Sequence, residues 1–285
     1  MPVKEDREIM IKIEHLRKSF GSQKVLDNVS LDIRRGETMV IIGGSGQGKS
    51  VILKHIIGLL NPDGGRIFIE NREITNARKT EIFDIRERLG MLFQGAALFD
   101  SMSVGENLSF PLRERGRREK KPMLRKDIDA IVRKNLALVG LSGIEEKMPS
   151  ELSGGMKKRV GLARVLVMSP TVIMYDEPTT GLDPITSDVI NDLILDMQRK
   201  LEVTSIVVTH DMVSAYKIAS ENGRISMLRE GRIIFTGTVN EVKSTKNPYV
   251  RQFIEGRRKL QYDGTLATDN EKKAYQAKFD ISKLK

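Results

Sequence analysis

The sequence predicts an α/β fold built on a parallel β-sheet, and three apolar runs carry this prediction. The run at 38–42 indicates a strand buried on both faces, which is typical of parallel sheets. A glycine-rich loop and a helical pattern at 50–57 follow it directly. Apolar runs at 172–175 and 205–209 predict two further strands, and the helical pattern at 185–201 separates them.

Composition narrows the classes of protein to which this chain can belong. With 285 residues, 39% of them hydrophobic, it is long enough to bury a sizeable core, as one large domain or two small ones. Because the chain has no cysteine, disulfides and zinc–thiolate sites are excluded. The polar start predicts no secretory signal, and the apolar runs are far shorter than the roughly 18 residues of a membrane span. We therefore expect an intracellular protein, either soluble or attached to a membrane through a partner.

The positive charge of the chain allows a polyanionic partner. The net charge is +10, and basic residues cluster at 113–121 and 257–259. A solvated basic face and a face close to a membrane both fit these clusters. Direct binding of nucleic acid is not expected, because aromatic residues make up only 5% of the chain and none interleaves with the clusters.

Shorter patterns predict the remaining elements. Short strands are expected between 9 and 40, at 67–69, and in a hairpin that pairs 225–228 with 233–236. Helices are expected at 127–138 and 156–168. After about residue 240 the chain becomes polar, which favours an extension outside the core.

The glycine-rich loop matches the phosphate-binding pattern G-x-x-x-x-G-K-[ST] in full. The glycines let backbone N–H groups crowd around phosphate oxygens. Lys49 can reach the β- and γ-phosphates, and the Ser50 hydroxyl can ligate Mg²⁺. Since the loop joins a buried strand to a helix, we expect it to bind a nucleotide. The residues predicted to do so are Gly43, Gly44, Ser45, Gly46, Gln47, Gly48, Lys49 and Ser50.

Two acidic residues follow the strand at 172–175. Asp176 should lie at the carboxyl edge of the sheet beside the phosphate loop, where it suits a Mg²⁺ ligand acting through water. Glu177 should point in a different direction, and it is the candidate base for the attacking water. The alternative is a strand end with two solvated acids.

A second phosphate-binding surface is predicted at Leu152-Ser153-Gly154-Gly155-Met156. A serine followed by two glycines at the start of a helix presents free N–H groups to an anion. Because the chain already has a phosphate loop, the simplest explanation is that this surface serves the nucleotide bound by another copy of the chain.

In these motifs the chain resembles the ATP-binding subunit of ATP-binding cassette (ABC) transporters. The resemblance implies a P-loop NTPase (RecA-like) core, an antiparallel β subdomain and an inserted α-helical subdomain at about 100–168. It implies an ATPase domain at 1–240 and a C-terminal extension at 241–285. The implied cofactors are ATP and Mg²⁺.

The same resemblance implies roles for residues outside the phosphate loop. Phe20 takes the position of the aromatic residue that stacks on adenine, although plain core packing would also suit it. Gln94 takes the position that couples Mg²⁺ and the attacking water to the transport partner. Asp183, in Gly181-Leu182-Asp183, resembles the loop that contacts the opposite subunit. His210 resembles the switch histidine at the γ-phosphate, and it joins Glu177 and Gln94 as a catalytic candidate.

A narrower resemblance, to the ATPases of MCE-type lipid transport systems, is carried by 90–100, 110–114, 183–186 and 251–256, together with Met156. It implies a head-to-tail homodimer that sandwiches two ATP molecules. It also implies a membrane permease, an MCE-domain substrate-binding subunit, a small accessory subunit and a peripheral position on the cytoplasmic face of the inner membrane. The apolar segment 95–99 would face the permease, unless it is simply buried.

Two other functions compete with lipid transport. The first is an ABC ATPase of an importer or exporter for another substrate, because the permease and its partners choose the substrate. The second is a cassette ATPase that acts on nucleic acid, which the basic charge favours slightly. The absence of a second cassette or a long coiled-coil insertion argues against it.

Overall fold

The computed structural model describes residues 7–256, which divide into two compact units between Val239 and Asn240. The strands and helices of the first unit are β1 (Ile9–Phe20), β2 (Gln23–Arg34), β3 (Thr38–Ile42), α1 (Lys49–Ile56), β4 (Gly64–Ile69), β5 (Arg72–Glu73), α2 (Lys79–Arg86), β6 (Leu89–Leu92), α3 (Val104–Arg118), α4 (Arg125–Leu138), α5 (Gly154–Leu166), β7 (Val172–Asp176), α6 (Pro184–Leu201), β8 (Thr204–Thr209), α7 (Met212–Ile218), β9 (Gly223–Arg229) and β10 (Arg232–Gly237). Helix α8 (Val239–Ser244) begins at the division, and α9 (Pro248–Ile254) follows it.

The central sheet has the strand order β10-β9-β3-β8-β7-β6. All its pairs are parallel except the β9–β10 hairpin. Every residue of β3, β7 and β8 is buried, as expected for strands covered on both faces. The α/β fold predicted from these three runs is therefore confirmed, and so is the hairpin.

The second sheet is antiparallel, with the order β2-β1-β4-β5. The prediction of short strands between 9 and 40 is wrong for β1 and β2, which run for 12 residues each. Register shifts interrupt their pairing, and His15 and Asn28 take left-handed backbone conformations with φ of 52° and 66°. His15 Nδ1 lies 2.8 Å from Asn28 Oδ1. Such bulges let a strand pair continue through irregular positions that break the alternating pattern.

Helices α3, α4 and α5 contact one another beside the central sheet. The sequence predicted α4 and α5 but not α3. Helix α3 begins with a capping box, in which Ser103 Oγ accepts from the backbone N–H of Glu106 and Glu106 Oε2 accepts from that of Ser103. Its apolar residues Leu108 and Leu112 are buried although most of its surface is charged. This mixture explains why composition alone did not identify the helix.

Several short helices were also missed, namely α2, α7, α8 and α9. Each has eight residues or fewer, which is too short for a helical pattern to stand out. Helices α8 and α9 lie in the segment that the sequence indicated only as a polar extension. The rest of that extension, 257–285, with the basic cluster 257–259, lies outside the described residues.

A buried ion pair fixes the turn that leads into β3 against β9. The Glu37 side chain is fully buried, and its oxygens accept from Arg224 Nε at 2.6 Å and Arg224 Nη2 at 3.0 Å. Glu37 Oε2 also accepts from the backbone N–H of Arg34 at 2.8 Å. A more exposed pair at the other end of β9, Arg232 with Asp27, joins β10 to β2.

These two pairs predict unequal losses of stability. Arg224→Met should lower the free energy of unfolding by about 3 kcal/mol, because it leaves the Glu37 carboxylate buried without its partner. The matched change Arg232→Met should cost much less, since Asp27 stays hydrated. Denaturant unfolding of both variants measures the two losses in the free energy of unfolding. Equal losses would contradict the view that the Glu37–Arg224 pair is the more important of the two.

Candidate active site

The phosphate loop runs from β3 to α1 and is held on two sides. Gly48, the residue before α1, has φ of 94°, and a Cβ atom there would lie 2.9 Å from Val25 Cγ1. Only glycine fits such a position without strain. On the other side, Gln47 Oε1 accepts from the backbone N–H of Glu230 at 2.6 Å, in the turn of the β9–β10 hairpin. Helix α1 begins at Lys49, so the free N–H groups of its first turn face the loop.

The Lys49 side chain lies inside this loop. Its ammonium donates to the carbonyl oxygens of Gly43 at 2.9 Å and Gly44 at 3.1 Å. Ser45 and Gly46 are exposed at the tip of the loop. A buried cation next to the N–H groups at the start of a helix is suited to phosphate oxygens.

The carboxyl end of β7 lies beside the start of α1. The Ser50 hydroxyl donates to Asp176 Oδ1 at 2.6 Å. A hydroxyl and one carboxylate fit Mg²⁺, which commonly takes one or two protein oxygens together with phosphate oxygens and water. Within 7–256, no group of three or more His, Cys, Asp or Glu residues could hold a metal ion by itself. The pair of Ser50 and Asp176 fits a Mg²⁺ ion that is shared with a nucleotide.

Glu177 is turned away from Asp176 by its backbone. Its φ of 49° is left-handed, and its N–H donates to the carbonyl of Val208 in β8 at 2.9 Å. Its carboxylate lies 3.5 Å from Lys49 Nζ and accepts from Thr180 Oγ1 at 3.1 Å. Nδ1 of His210 lies 2.9 Å from Glu177 Oε2. A non-glycine residue in this conformation is strained, which is a feature of functional sites.

His210 follows β8, and its side chain remains 56% exposed. Nδ1 of His210 can donate to the Glu177 carboxylate in the tautomer that carries its hydrogen on this nitrogen. Thr180 is a site residue that the sequence analysis missed. Its position three residues after Glu177 was the available signal, since one turn brings its hydroxyl back to the carboxylate.

The second predicted phosphate surface is formed at the start of α5. Ser153 precedes the helix, and its Oγ accepts from the backbone N–H of Met156 at 3.3 Å. Ser153 and Gly154 are exposed, whereas Gly155 is packed against α6. A Cβ atom on Gly155 would lie 2.5 Å from Thr186 Cγ2. The surface is thus held firmly, but among the described contacts no hydrogen bond or ion pair joins it to the phosphate loop.

Three other predicted residues make no hydrogen bond or ion pair with Lys49 or Glu177 among the described contacts. Asp183 caps α6 by accepting from Thr186, and these hydrogen bonds lower the pKa of its carboxyl. Phe20, at the end of β1, is 47% exposed, which excludes plain core packing. Gln94 follows β6 and its side chain is exposed.

The structure therefore collects one half of the predicted site. It brings together Lys49, Ser50, Asp176, Glu177 and His210. Among the described contacts, Ser153, Asp183 and Phe20 make no hydrogen bond or ion pair with this group. The collected half has a cation for phosphate, oxygen ligands for a metal and a carboxylate held by two donors. These are the parts that phosphoryl transfer to water requires.

Among residues 7–256, no helix combines the length and the apolar character of a membrane span.

Comparison with known proteins assigns this arrangement to a family. Residues 26–180 match the family described as ABC transporter. The chain is 42% identical to mkl, a probable ribonucleotide transport ATP-binding protein of Mycobacterium leprae, over 250 residues that span 88% of this chain and 70% of mkl. It is 37% identical to MlaF, the ATP-binding protein of the intermembrane phospholipid transport system of Haemophilus influenzae, over 87% of this chain and 90% of MlaF.

A solved structure is similar in three dimensions. The dimeric structure of MJ0796, a bacterial ABC transporter cassette, superposes with a TM-score of 0.73 and 30% sequence identity. The alignment covers 81% of this chain and 99% of MJ0796. The chain belongs to the ABC transporter family, as an ATP-hydrolysing subunit with a P-loop NTPase core.

Proposed function

We propose that this ATPase powers phospholipid transport through a membrane permease. The observation that carries the lipid substrate is the similarity to MlaF, because the aligned region spans nearly the full length of both chains. The similarity to mkl, which is named for ribonucleotide transport, supports the alternative of another substrate.

The hydrolysis site is the group formed around Glu177. Lys49 and the N–H groups of the phosphate loop bind the phosphates of ATP, and Ser50 and Asp176 hold Mg²⁺ with Gln94. When bound, the metal neutralises charge that develops on the phosphates. Glu177 accepts the proton of the attacking water, while Thr180 and His210 fix its carboxylate. Phe20 stacks on the adenine.

A second copy of the chain completes the site. In a head-to-tail homodimer, Ser153, Gly154 and Gly155 of one copy face the γ-phosphate that Lys49 of the other copy binds. Asp183 contacts the opposite copy. Two apolar side chains near His210 and Asp183 support this contact, since Ile185 is 80% exposed and Val213 is 74% exposed. In a single copy of the chain, these two side chains are exposed to water.

The permease binds at the apolar segment 95–99 and the start of α3. Phe99 and Phe110 are 41% and 36% exposed, and their rings meet edge to face with centroids 5.0 Å apart. Arg164 stacks on Phe99 from the protein side, at 5.5 Å from the ring centroid. Ala96 of the same segment is buried. An aromatic pair fixed on one side and open on the other is suited to a protein partner.

The remaining proposals concern the assembly. The ATPase domain comprises 1–240, with the α-helical subdomain at about 100–168, and 241–285 forms an extension. The dimer lies peripherally on the cytoplasmic face of the inner membrane. Its further partners are an MCE-domain subunit that binds the substrate and a small accessory subunit. The basic cluster 113–121 is an exposed face on and after α3, with internal pairs such as Arg115–Glu119.

Purification of the complex tests the proposed substrate class. The chain should copurify with a multi-pass membrane protein, and the purified complex should carry phospholipid that ATP turnover releases or moves. Salt-sensitive binding to DNA or RNA, with no membrane partner, would support the nucleic-acid alternative. A complex that carries no lipid and whose ATPase is stimulated by a small solute would identify another substrate.

Replacing the proposed base should separate binding from hydrolysis. Glu177→Gln keeps the size of the side chain but cannot accept the proton, so turnover should fall about 10²- to 10⁴-fold while ATP binding persists. Glu146→Gln, at an exposed position, is the matched control and should behave like the wild type. Near-normal hydrolysis by Glu177→Gln would contradict the assignment of Glu177 as the base.

Mixed dimers test whether Ser153 acts on the other copy's ATP. Ser153→Arg should abolish hydrolysis without blocking ATP binding. In a dimer of one Ser153→Arg copy and one Glu177→Gln copy, one site should stay intact and hydrolyse one ATP in a single-turnover assay. When both changes are on one copy and the other is wild type, no site should remain. Action within the same copy predicts the opposite pattern.

A further inference from the structure

A buried lysine on helix α5 contacts two segments of the hydrolysis site. The Lys158 side chain is 6% exposed, one turn beyond Ser153 and Gly154 on the same helix. Its Nζ donates to the carbonyl oxygen of Gln94 and, at 3.4 Å, to the carbonyl oxygen of Glu177. Both acceptors are backbone carbonyls, so Lys158 holds the main chain of Gln94 and Glu177 and does not occupy their side chains.

This lysine has none of the usual partners of a buried cation. Within residues 7–256, no carboxylate oxygen lies within the 4.0 Å of an ion pair to Lys158. Burial lowers the pKa of its ammonium, and the more distant charges of Asp176 and Glu177 oppose that shift. A buried ammonium without an ion pair is unfavourable, and its cost must be offset by the two hydrogen bonds that it makes. The two carbonyl oxygens are therefore what holds the ammonium at this place.

The two carbonyls matter because of what their residues do. Glu177 holds a strained left-handed backbone, fixed on one side by the hydrogen bond of its N–H to Val208. The contact with Lys158 fixes the other side of the residue, its carbonyl. Gln94 is an exposed residue directly after β6, and its carbonyl is anchored by the same ammonium. One amine therefore sets the distance between the segment of Gln94 and that of Glu177.

Helix α5 itself is held in place by close packing. Gly155 lies against Thr186, and a Cβ atom on Gly161 would lie 2.9 Å from Leu92 Cδ1 and 3.1 Å from Ala96 Cβ. The helix cannot move relative to the loop after β6 without breaking these contacts. Lys158 thus extends a rigid connection from the helix that presents Ser153 to both segments of the site.

We propose that Lys158 is a positioning residue that ties the backbone of Gln94 and of Glu177 to helix α5. It thereby holds Glu177, the proposed base, and Gln94, the proposed Mg²⁺ ligand, at fixed positions relative to Ser153. The proposal rests on the roles given above to Gln94 and Glu177. Lys158 does not touch the nucleotide, and its effect on catalysis acts through these two residues.

The variant Lys158→Met tests the proposal, because methionine fills similar space and cannot donate. Misplacing a reacting group by about 1 Å costs as much as 10²-fold, so kcat should fall about 10- to 100-fold. The KM for ATP should stay within about twofold, since the phosphate loop is intact. The Mg²⁺ concentration for half-maximal rate should rise, because Gln94 is displaced.

Two controls distinguish positioning from packing. Lys158→Arg retains a donor and should keep at least about a third of the wild-type kcat. Lys157→Met, at the neighbouring and more exposed position, should match the wild type. Each variant's Tm should lie within about 4 °C of the wild type, the shift expected for a change of about 1 kcal/mol in a domain of this size.

The outcomes that overturn the proposal are specific. Normal turnover by Lys158→Met overturns it, and so does a loss shared equally by Lys158→Arg and accompanied by a large fall in Tm. Combining Lys158→Met with Glu177→Gln separates its failure from that of the proposed base. At saturating Mg²⁺, which removes the effect that acts through Gln94, the double variant should be no slower than Glu177→Gln alone, whereas additive losses contradict the connection. Normal turnover by Glu177→Gln alone would instead remove the base assignment.

Discussion

The parallel register of three buried strands is the constraint on which the active site depends. Ile42, the last residue of β3, is paired with Thr209 of β8, and Asp176 of β7 is paired with Val208. The three strands therefore end at the same edge of the sheet, within one residue of each other. The loops that leave this edge carry Lys49, Ser50, Glu177 and His210, so their contacts follow from strand pairing.

A different principle governs the start of helix α5, which carries Ser153. Ser153 and Gly154 are exposed at this helix start, which is held in place by the close packing of Gly155 on α6. The chain thus separates the group around Lys49, Asp176 and Glu177 from the exposed start of α5. In the proposed dimer, this separation would make hydrolysis depend on assembly, because the second copy would supply the start of α5.

Strands with strong local patterns could be predicted from the sequence, and so could the half-site that they carry. β3, β7 and β8 are buried along their whole length and each has a continuous apolar centre, so neither bulges nor solvent exposure obscures their pattern. The length of β1 and β2 could not be predicted, because left-handed residues at His15 and Asn28 interrupt the alternation. Lys158 could not be predicted for another reason, because its contact with Gln94 spans 64 residues and a helical lysine does not signal a backbone partner. Thr180 was within reach of prediction, since it lies three residues after Glu177.

The strand order has a consequence for the order of synthesis. Strand β3 lies at the centre of the sheet, but its neighbours β8 and β9 come from 204–229. A growing chain releases the apolar β3 long before either neighbour exists, and contacts between such distant segments form slowly. The nascent protein must therefore keep β3 from aggregating until most of the chain has left the ribosome. Strands β1 and β2 of the antiparallel sheet are synthesised before β3. They are therefore available to cover β3 as soon as it is made.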